Sequence, residues 1–522
     1  MAELNLKFLP KVTENDYQIA KRFLDEKVID NKKFGDVYIG ENIWSCGPQE
    51  NRMWLWTLHA FLPIDCLLAV GKYKDARGVI DSWVQQYSDV DRTTGFPWHD
   101  HATALRLDRL SIVQLKDSTC DYSEVAALHA NLLMQDDFYS KDTNHGFDQS
   151  LSLILASFAF HNCKDSSDWL RVGLSRLRSE LDFAFTSEGV HVENSPAYHF
   201  GMISNLLRAK NILEHIDSKG LDFDSLINKA ILFLVWITRP DRFLAYMGDS
   251  ASYRPSVPAA LLGMENVKYL DWVASGGTRG MLPAGKFKVY SESGYAIYRS
   301  AWHDWPGHTH LIMKCGFLSK YHRQDDDLNI VLHAYGEDWL IDSGLYNHNQ
   351  KDPVRIYMRS GYAHNIPFFP GRKISRAQTG KEVSALLECD PCDYAFAVEG
   401  ISKMHNGVTV RRKLFIRNER EFRVLDRFKG GEGENRYWMF HFPLNKKIKY
   451  GGGKAVISGR GMDLVIRANV AGLTANVYKG MNGDFPSVLS KVLNKFEDSQ
   501  VLVFGPSTAD QIVFSLNFVS RE

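Results

Sequence analysis

Apolar residues keep one spacing up to about residue 285 and a different one after about residue 287. In the first part, Met202, Leu206, Ala209, Leu213 and Ile216 recur at alternating steps of four and three, which is one stripe along a helix. The same period predicts helices over 54–69, 74–88, 101–115, 122–137, 147–162, 166–184 and 223–239. Short polar or glycine-bearing joints such as Gly71, Lys141–Asn144 and Asp217–Gly220 separate them, and short joints make neighbouring helices antiparallel. No fixed-length repeat is visible, so a stack or ring of helical hairpins is expected rather than a regular solenoid.

In the second part the period is two. Leu328, Ile330, Leu332 and Ala334 alternate with Asn329, Val331, His333 and Tyr335, then a turn at Gly336 leads into Trp339–Ile341, a hairpin pattern. Val408, Val410, Arg412, Leu414 and Ile416 repeat the alternation, turn at Asn418–Arg420 and return through Phe422, Val424 and Asp426. Short strands joined by Gly and Asn turns predict an antiparallel sandwich. The expected organisation is a helical domain over 1–285 and a sheet domain over 286–522, joined by a loop-rich stretch over 248–287 that holds Gly248, Pro255, Pro258, Gly276, Gly277, Gly280 and Pro283.

Composition limits function. With 62 basic and 62 acidic side chains the formal charge is zero, which argues against a general affinity for nucleic acid. The first 20 residues carry Lys7, Lys11, Glu14 and Asp16 and no apolar leader, and Ala230–Ile237 is far shorter than the roughly 20 residues that span a bilayer. A cytoplasmic protein without a membrane span is the expectation, with periplasmic or secreted placement left open. Seven cysteines are too sparse for a disulfide frame, and Cys389-Asp-Pro-Cys392 is half of a zinc site at most.

Several familiar signatures fail. Gly280-Met-Leu-Pro-Ala-Gly285-Lys286 has phosphate-loop glycine spacing, but Phe287 replaces the Ser or Thr that would hold magnesium, and Pro283 removes an amide. No HExxH helix and no GxSxG turn occur. Four polar clusters remain. The first, Pro97-Trp-His99-Asp100-His101 through Arg106, reads either as a helix start capped by Asp100 with Arg106 paired elsewhere, or as two histidines spaced like a metal pair. The second, Asp142-Thr-Asn144-His145-Gly146, precedes an apolar helix, and a plain cap leaves His145 and Gly146 unexplained. The third, Glu193-Asn-Ser195-Pro196-Ala-Tyr198-His199, reads as a cap and first turn with Tyr198 and His199 at a helix mouth, or as a buried, satisfied Tyr. The fourth, Tyr321-His322-Arg-Gln324-Asp-Asp-Asp327, leads into a strand and is followed by Asp342, Arg359 and His364-Asn365. Its three adjacent carboxylates need either solvent or a cation.

In this order the four clusters resemble the heparinase II/III-type polysaccharide lyases, including the oligoalginate lyases. The resemblance rests on Asn-His-Gly before an apolar helix, Glu-x-Ser-Pro-x-Tyr-His, His-x-x-Asp-Asp-x-Leu, Tyr-Gly-Glu-x-x-Leu-Ile-Asp-Ser-Gly and Arg-Ser-x-x-Ala-His-Asn, over roughly residues 90–370. It implies an incomplete (α/α) toroid followed by an antiparallel β-sandwich, and cleavage of an anionic, uronic-acid polysaccharide by β-elimination in a cleft between the domains. It gives Asn144 and His145 the substrate carboxylate. Tyr198 becomes the acid towards the leaving oxygen, with either Tyr198 or His322 as the base. His101, Arg106, Glu193, His199 and Arg359 become substrate-binding residues. No catalytic cofactor is implied.

One departure bears on metal. The family often reads His-x-His where this chain has His322-Arg-Gln324, and the second His joins residues resembling Asp342 and His364 around a structural zinc or calcium ion. An amide is a poor zinc ligand, so the expectation is a metal absent or weakly held. Two rival readings stand beside the lyase. One is a toroid glycoside hydrolase using a pair from Asp100, Glu193 and Asp148; the other is a glycan-binding protein with no activity.

Overall fold

The computed structural model describes residues 12–89, 95–216, 220–258, 261–303, 305–316, 318–374 and 382–521. Residues 217–219 of the joint Asp217–Gly220, and the first eleven residues, lie outside that description. Packing divides the chain into two compact units: Met1–Ala184 with Leu207–Leu221, and Phe185–Leu206 with Asp222–Glu522. The helix Pro196–His215 belongs to the second unit up to Leu206 and to the first from Leu207.

The first unit is helical. Its principal helices are Tyr73–Tyr87, Asp100–Lys116, Ser123–Leu133, Asn144–Ala159 and Ser166–Ala184. Asn144–Ala159 is buried on nearly every face, including Leu151, Leu153, Ile154, Leu155 and Ala156. Each buried Leu or Ile side chain among these contributes on the order of 1.5–3 kcal/mol relative to exposure. The stretch 54–69, expected as one helix, is broken into Arg52–His59, the 3-10 turn Leu62–Ile64 and Asp65–Ala69. Phe61 sits at φ 62 and Pro63 follows, so a continuing helix would lose an amide donor and meet the proline ring. A small hairpin, Val28–Asn31 with Gly35–Tyr38, precedes these helices and was not anticipated from the period.

The second unit carries the sheets. One five-stranded sheet runs in the order Phe287–Tyr290, Tyr295–Arg299, His310–Lys314, Asn329–Ala334 and Glu337–Leu340. Its last hairpin turns at Tyr335 and Gly336, φ 54 and 74, the two left-handed positions of a two-residue turn. An eight-stranded sheet runs Lys447–Gly451, Lys454–Ser458, Met462–Ala468, Gln511–Ser520, Glu421–Lys429, Thr409–Ile416, Phe396–Ser402 and Ser384–Glu388. Another five-stranded sheet contains Ala475–Lys479, Lys495–Ser507, Arg436–Pro443 and Pro367–Phe368, with Val488–Val492 beside Lys495–Ser507. Val424, Phe514, Leu464, Ile330, Trp438 and Phe504 from all three sheets share one apolar core. The apolar helix Phe223–Ile237 belongs to this unit and sets Phe233 against Tyr290 and Tyr295. The stretch 248–287, expected as loop, contains the helix Val267–Ser275, ended by Gly276 at φ 70. Among the described residues no helix is long and apolar enough to cross a membrane.

Candidate functional site

In the helical unit, Thr143 caps the helix that begins at Asn144, its hydroxyl accepting from Gly146 N at 3.2 Å. Asn144 and His145 therefore stand inside the first turn rather than ahead of a helix starting at Phe147. Gly146 is explained by contact: a Cβ there would come within 2.5 Å of Ser140 O and of the Glu180 carboxylate. Glu180 anchors the approach to this turn, accepting from Tyr139 Oη and, at 3.1 Å, from Asp142 N. The Asn144 side chain is exposed, beside the unpaired amides of a helix start, where negative charge is favoured.

His145 is held by Asp100, with Nδ1 3.0 Å from Oδ2, and stacks on His101 with ring centroids 4.1 Å apart. His101 Nε2 lies 2.8 Å from Asp148 Oδ2, and Arg208 pairs with Asp108 and stands 3.8 Å from Asp148. Burial pushes the Asp100 carboxyl up, but donors from His145, His99, Ser140 and the His101 amide outweigh it and hold it well below the usual carboxylate range. Asp100 is the first helical residue here, not the cap; His99 occupies that position, its Nδ1 2.9 Å from Asp100 Oδ1 and its side chain making no bond to the helix backbone. Both Asp100 and Asp148 are spent on imidazoles.

In the second unit, Ser195 caps the helix that opens with Pro196, accepting from Tyr198 N at 3.3 Å. Asn194, at φ 57, donates to Ser319 O and Tyr321 O at 3.0 Å, fastening this turn to the segment that carries His322. Gly248, at φ 58, lies so close that a Cβ would be 2.6 Å from Asn194 O, and this brings in Asp249. His322 itself is at φ 52. Left-handed backbone at Asn194 and His322 is strain of the kind that persists where the surroundings over-determine a functional geometry.

The His322 ring stacks on the Tyr198 ring at 3.9 Å between centroids and 26° between planes. His322 Nδ1 lies 3.0 Å from Asp249 Oδ2, and Nε2 lies 3.5 Å from Glu193 Oε2. Asp249 is fully buried and also accepts from Arg355 at 2.6 and 2.5 Å and from Gln324 Nε2 at 2.6 Å. Desolvation raises its carboxyl, but the bonds from His322, Arg355 and Gln324 prevail and keep it ionised far below the usual range. The Tyr198 phenol is pushed up, first by burial and then by the Asp249 and Glu193 charges, so it holds its proton at neutral pH. The Glu193 carboxyl is also raised by burial, with His322 opposing. The result is a half-buried phenol and imidazole resting on a buried charged platform.

Two of the expected substrate contacts, Arg106 and His199, lie in the protein interior. Arg106 is 0% exposed, donates to His129 and His59 O, and lies 4.0 Å from the Trp83 ring centroid, so it is part of the helical core. His199 is 0% exposed, accepts from His191 N at 3.1 Å and lies 2.9 Å from Ala230 O, leaving neither ring nitrogen for a sugar. Arg359 donates to Gln350 and to Arg323 O; Arg355, one turn earlier on the helix Pro353–Arg359, reaches Asp249. Asp249 and Arg355 were missed from sequence. Asp249 sat in a stretch read as linker, and the Asp352-Pro353 start of the Arg355 helix was the one legible signal.

The Asp325–Asp327 run is buried rather than solvated, and its cations come from the protein: Lys314 Nζ donates to both Asp326 oxygens at 2.7 Å, and Arg323 lies 3.6 Å from Asp327. Asp342 accepts from His364 Nδ1 at 3.0 Å and from Asn329. Gln324 turns its NH2 to Asp249 and, at 3.3 Å, to Gly344 O. The Gln324 oxygen and His364 Nε2 are buried without a partner, and among the described residues no group of three or more His, Cys, Asp or Glu is placed to hold a metal.

The Heparinase II/III N-terminus profile matches residues 5–267, and the Heparinase II/III-like, C-terminal profile matches residues 283–492. A heparin-sulfate lyase of Pedobacter heparinus is 21% identical over 474 residues, 80% of this chain and 66% of that protein. A heparin-sulfate lyase of Bacteroides thetaiotaomicron is 22% identical over 401 residues, 66% of this chain and 55% of that protein. The matches thus span just under two thirds of the first relative's length and about half of the second's. The crystal structure of a heparan sulfate lyase from Pedobacter heparinus is similar with a TM-score of 0.74 at 18% identity, covering 98% of this chain and 84% of that one. The fold is that of a helical (α/α) toroid followed by antiparallel β-sandwich sheets.

Proposed function

The chain belongs to the heparinase II/III family, and from that premise we propose that it is a polysaccharide lyase cleaving a uronate-containing, glycosaminoglycan-type polymer by β-elimination. The observation that carries this reading is the Tyr198–His322 stack on the buried Asp249. Donation of Nδ1–H to Asp249 leaves the Nε2 lone pair free, the form a general base needs. The phenol, kept protonated by burial, is the matching acid.

His322 Nε2 takes the proton from the carbon α to the uronate carboxylate. The electron pair moves to form the C4–C5 double bond, the C4–O bond breaks, and Tyr198 protonates the departing oxygen. Glu193, 3.5 Å from Nε2, stabilises the imidazolium that forms. The charge developing on the carboxylate needs donors aimed at it, a role given to Asn144 and His145. Between turnovers the two proton changes are reset with solvent. We also propose that no metal takes part in this reaction, because residue 324 offers a neutral amide oxygen, a far poorer zinc ligand than an imidazole.

The test is a panel of uronate polymers followed by the absorbance of the new conjugated double bond. Unsaturated ends that vanish in Tyr198→Phe support the reading. New reducing ends without unsaturation would mean hydrolysis, and binding without any cleavage would mean a glycan-binding protein.

A further inference from the structure

The outer face of the eight-stranded sheet carries charge that the fold does not account for. Its register sets Phe415, Arg423, Ser515, Arg467 and Lys454 opposite one another on five consecutive strands. At the usual strand spacing this row is about 19 Å long. Arg411 faces Arg427 on the same side, and Lys413, Lys429, Lys447 and Lys449 also point outward by alternation. Like charges directly opposite each other destabilise a sheet pair, so folding alone selects against Arg411 beside Arg427.

Three carboxylates share this face, and each is engaged: Glu399 with Arg411, Glu421 with Arg417 and Asp463 with Arg521. Among the described residues Arg423, Arg467 and Lys454 have no carboxylate partner. A solvated face needs charge for solubility, but of mixed sign. Here one sign is concentrated in a chain whose total charge is zero. At one end of the row, Tyr394 packs on Phe415 at 5.1 Å, and the guanidinium groups of Arg417 and Arg423 lie 5.1 and 5.8 Å from the Tyr394 ring centre. A depression of about 630 Å³ opens beside them, lined by Tyr394, Arg420, Arg423 and Asn517 and also by the carboxylates Glu419 and Glu421.

We propose that this face is a second binding surface for an anionic polysaccharide chain, sharing no residue with the Tyr198–His322 cluster. A line of cations across a sheet face fits an extended polymer with repeating negative groups. An aromatic flanked by guanidinium groups suits a sugar ring better than a bare phosphate. The surface would hold a long chain while the acid–base pair works on one bond of it, raising the effective concentration of further bonds without touching the chemistry. The choice of polymer rests on the lyase reading above.

The test uses the full chain and the variant Arg423→Ser, Arg467→Ser, Lys454→Ser, whose side chains are exposed and outside the core. Affinity for end-labelled long heparan sulfate and for a heparan sulfate tetrasaccharide is measured over a salt series. The variant is expected to bind the long chain about tenfold more weakly, with the log affinity against log salt slope smaller by about two. Tetrasaccharide affinity and turnover should be unchanged, and Lys in place of both arginines should restore long-chain binding. Unchanged long-chain affinity would overturn the proposal, as would equally tight, face-dependent binding of duplex DNA or phosphatidylserine vesicles. Affinity does not depend on turnover. Face-dependent binding without unsaturated product therefore removes the lyase reading alone, and normal lysis with unchanged binding removes this one alone.

Discussion

The imidazole of His322 lies flat on the phenol of Tyr198, 3.9 Å between ring centres, while its Nδ1 reaches the buried Asp249 carboxylate at 3.0 Å. Two residues 124 positions apart in the chain are thus fixed as one unit, and the carboxylate beneath them sets which nitrogen is free. Arg355 and Gln324 fill the remaining acceptor positions of Asp249, so the platform cannot turn without losing several charge-assisted bonds at once.

Removing the phenol oxygen alone leaves the ring stack in place. Tyr198→Phe is therefore expected to lower kcat by on the order of 10²–10⁴ with KM little changed, the loss of an acid rather than of a binding contact. Steady-state kinetics on a uronate polymer, read by unsaturated product, checks this. A parallel rise in KM with kcat preserved would assign Tyr198 to binding.

Asn144 is exposed at the first position of its helix, so its amide supports nothing in the core. Asn144→Ala should leave the melting temperature within the range of an ordinary surface change, about 0.5 kcal/mol or less. It should lower kcat by roughly 10²–10³ if the amide steadies the developing charge. Calorimetry alongside kinetics separates these readouts, and an unchanged kcat would remove Asn144 from the reaction.

The two halves were legible because hydrophobic period is a local property, readable without knowing what packs on what. The Met202 stripe and the Leu328–Ala334 alternation each became the expected element. Sequence order also singled out Tyr198 and His322. It could not supply Asp249, because what makes that carboxylate special is burial under His322, a contact between residues far apart in the chain. The same limit misplaced Arg106 and His199: a polar residue on a helix looks alike in sequence whether it faces a sugar or satisfies a neighbour's backbone. Nor could sequence tell Arg355, which is buried on Asp249, from Arg359 one turn later, which is only half-buried.

Acid should unfold this protein through carboxyls that donors hold ionised. Asp249 and Asp100 both have their folded values depressed below the ordinary 3.8. Each therefore binds fewer protons folded than unfolded; the stability it contributes is present above the unfolded value and is lost as pH falls through the folded one. Melting temperature is expected to drop steeply below about pH 4. Asp249→Asn should flatten that acid limb. It should also lower stability at neutral pH by about 3–5 kcal/mol, because the buried Arg355 loses its carboxylate. A variant with the parent's acid slope would show that Asp249 is not the group responsible.

Metal content provides an independent check. With Asp342 bonded to His364 and Gln324 turned to Asp249, extensive dialysis against a chelator should leave activity and melting temperature unchanged. Elemental analysis of the parent should find well under one zinc or calcium per chain. One tightly held ion, lost together with stability on chelation, would refute the reading of residue 324.

Gly146 is the most sensitive position near Asn144 and His145 without itself being a donor. An alanine methyl would meet Ser140 O and the Glu180 carboxylate at 2.5 Å, and Ser140 O is backbone that cannot swing aside. Its neighbour Glu180 is pinned by Tyr139 and the Asp142 amide, so relief has to come from moving the helix start. Gly146→Ala is expected to destabilise by about 1–3 kcal/mol, the usual magnitude of overpacking. It should also lower kcat more than KM rises, because the displaced turn carries His145 away from Asp100. The double variant Gly146→Ala, Glu180→Gln is not expected to recover activity, since the backbone clash persists; Glu180→Gln alone keeps the turn's shape and should lose far less. Full activity in Gly146→Ala would mean that the turn tolerates displacement and that its placement of Asn144 and His145 is not what the reaction uses.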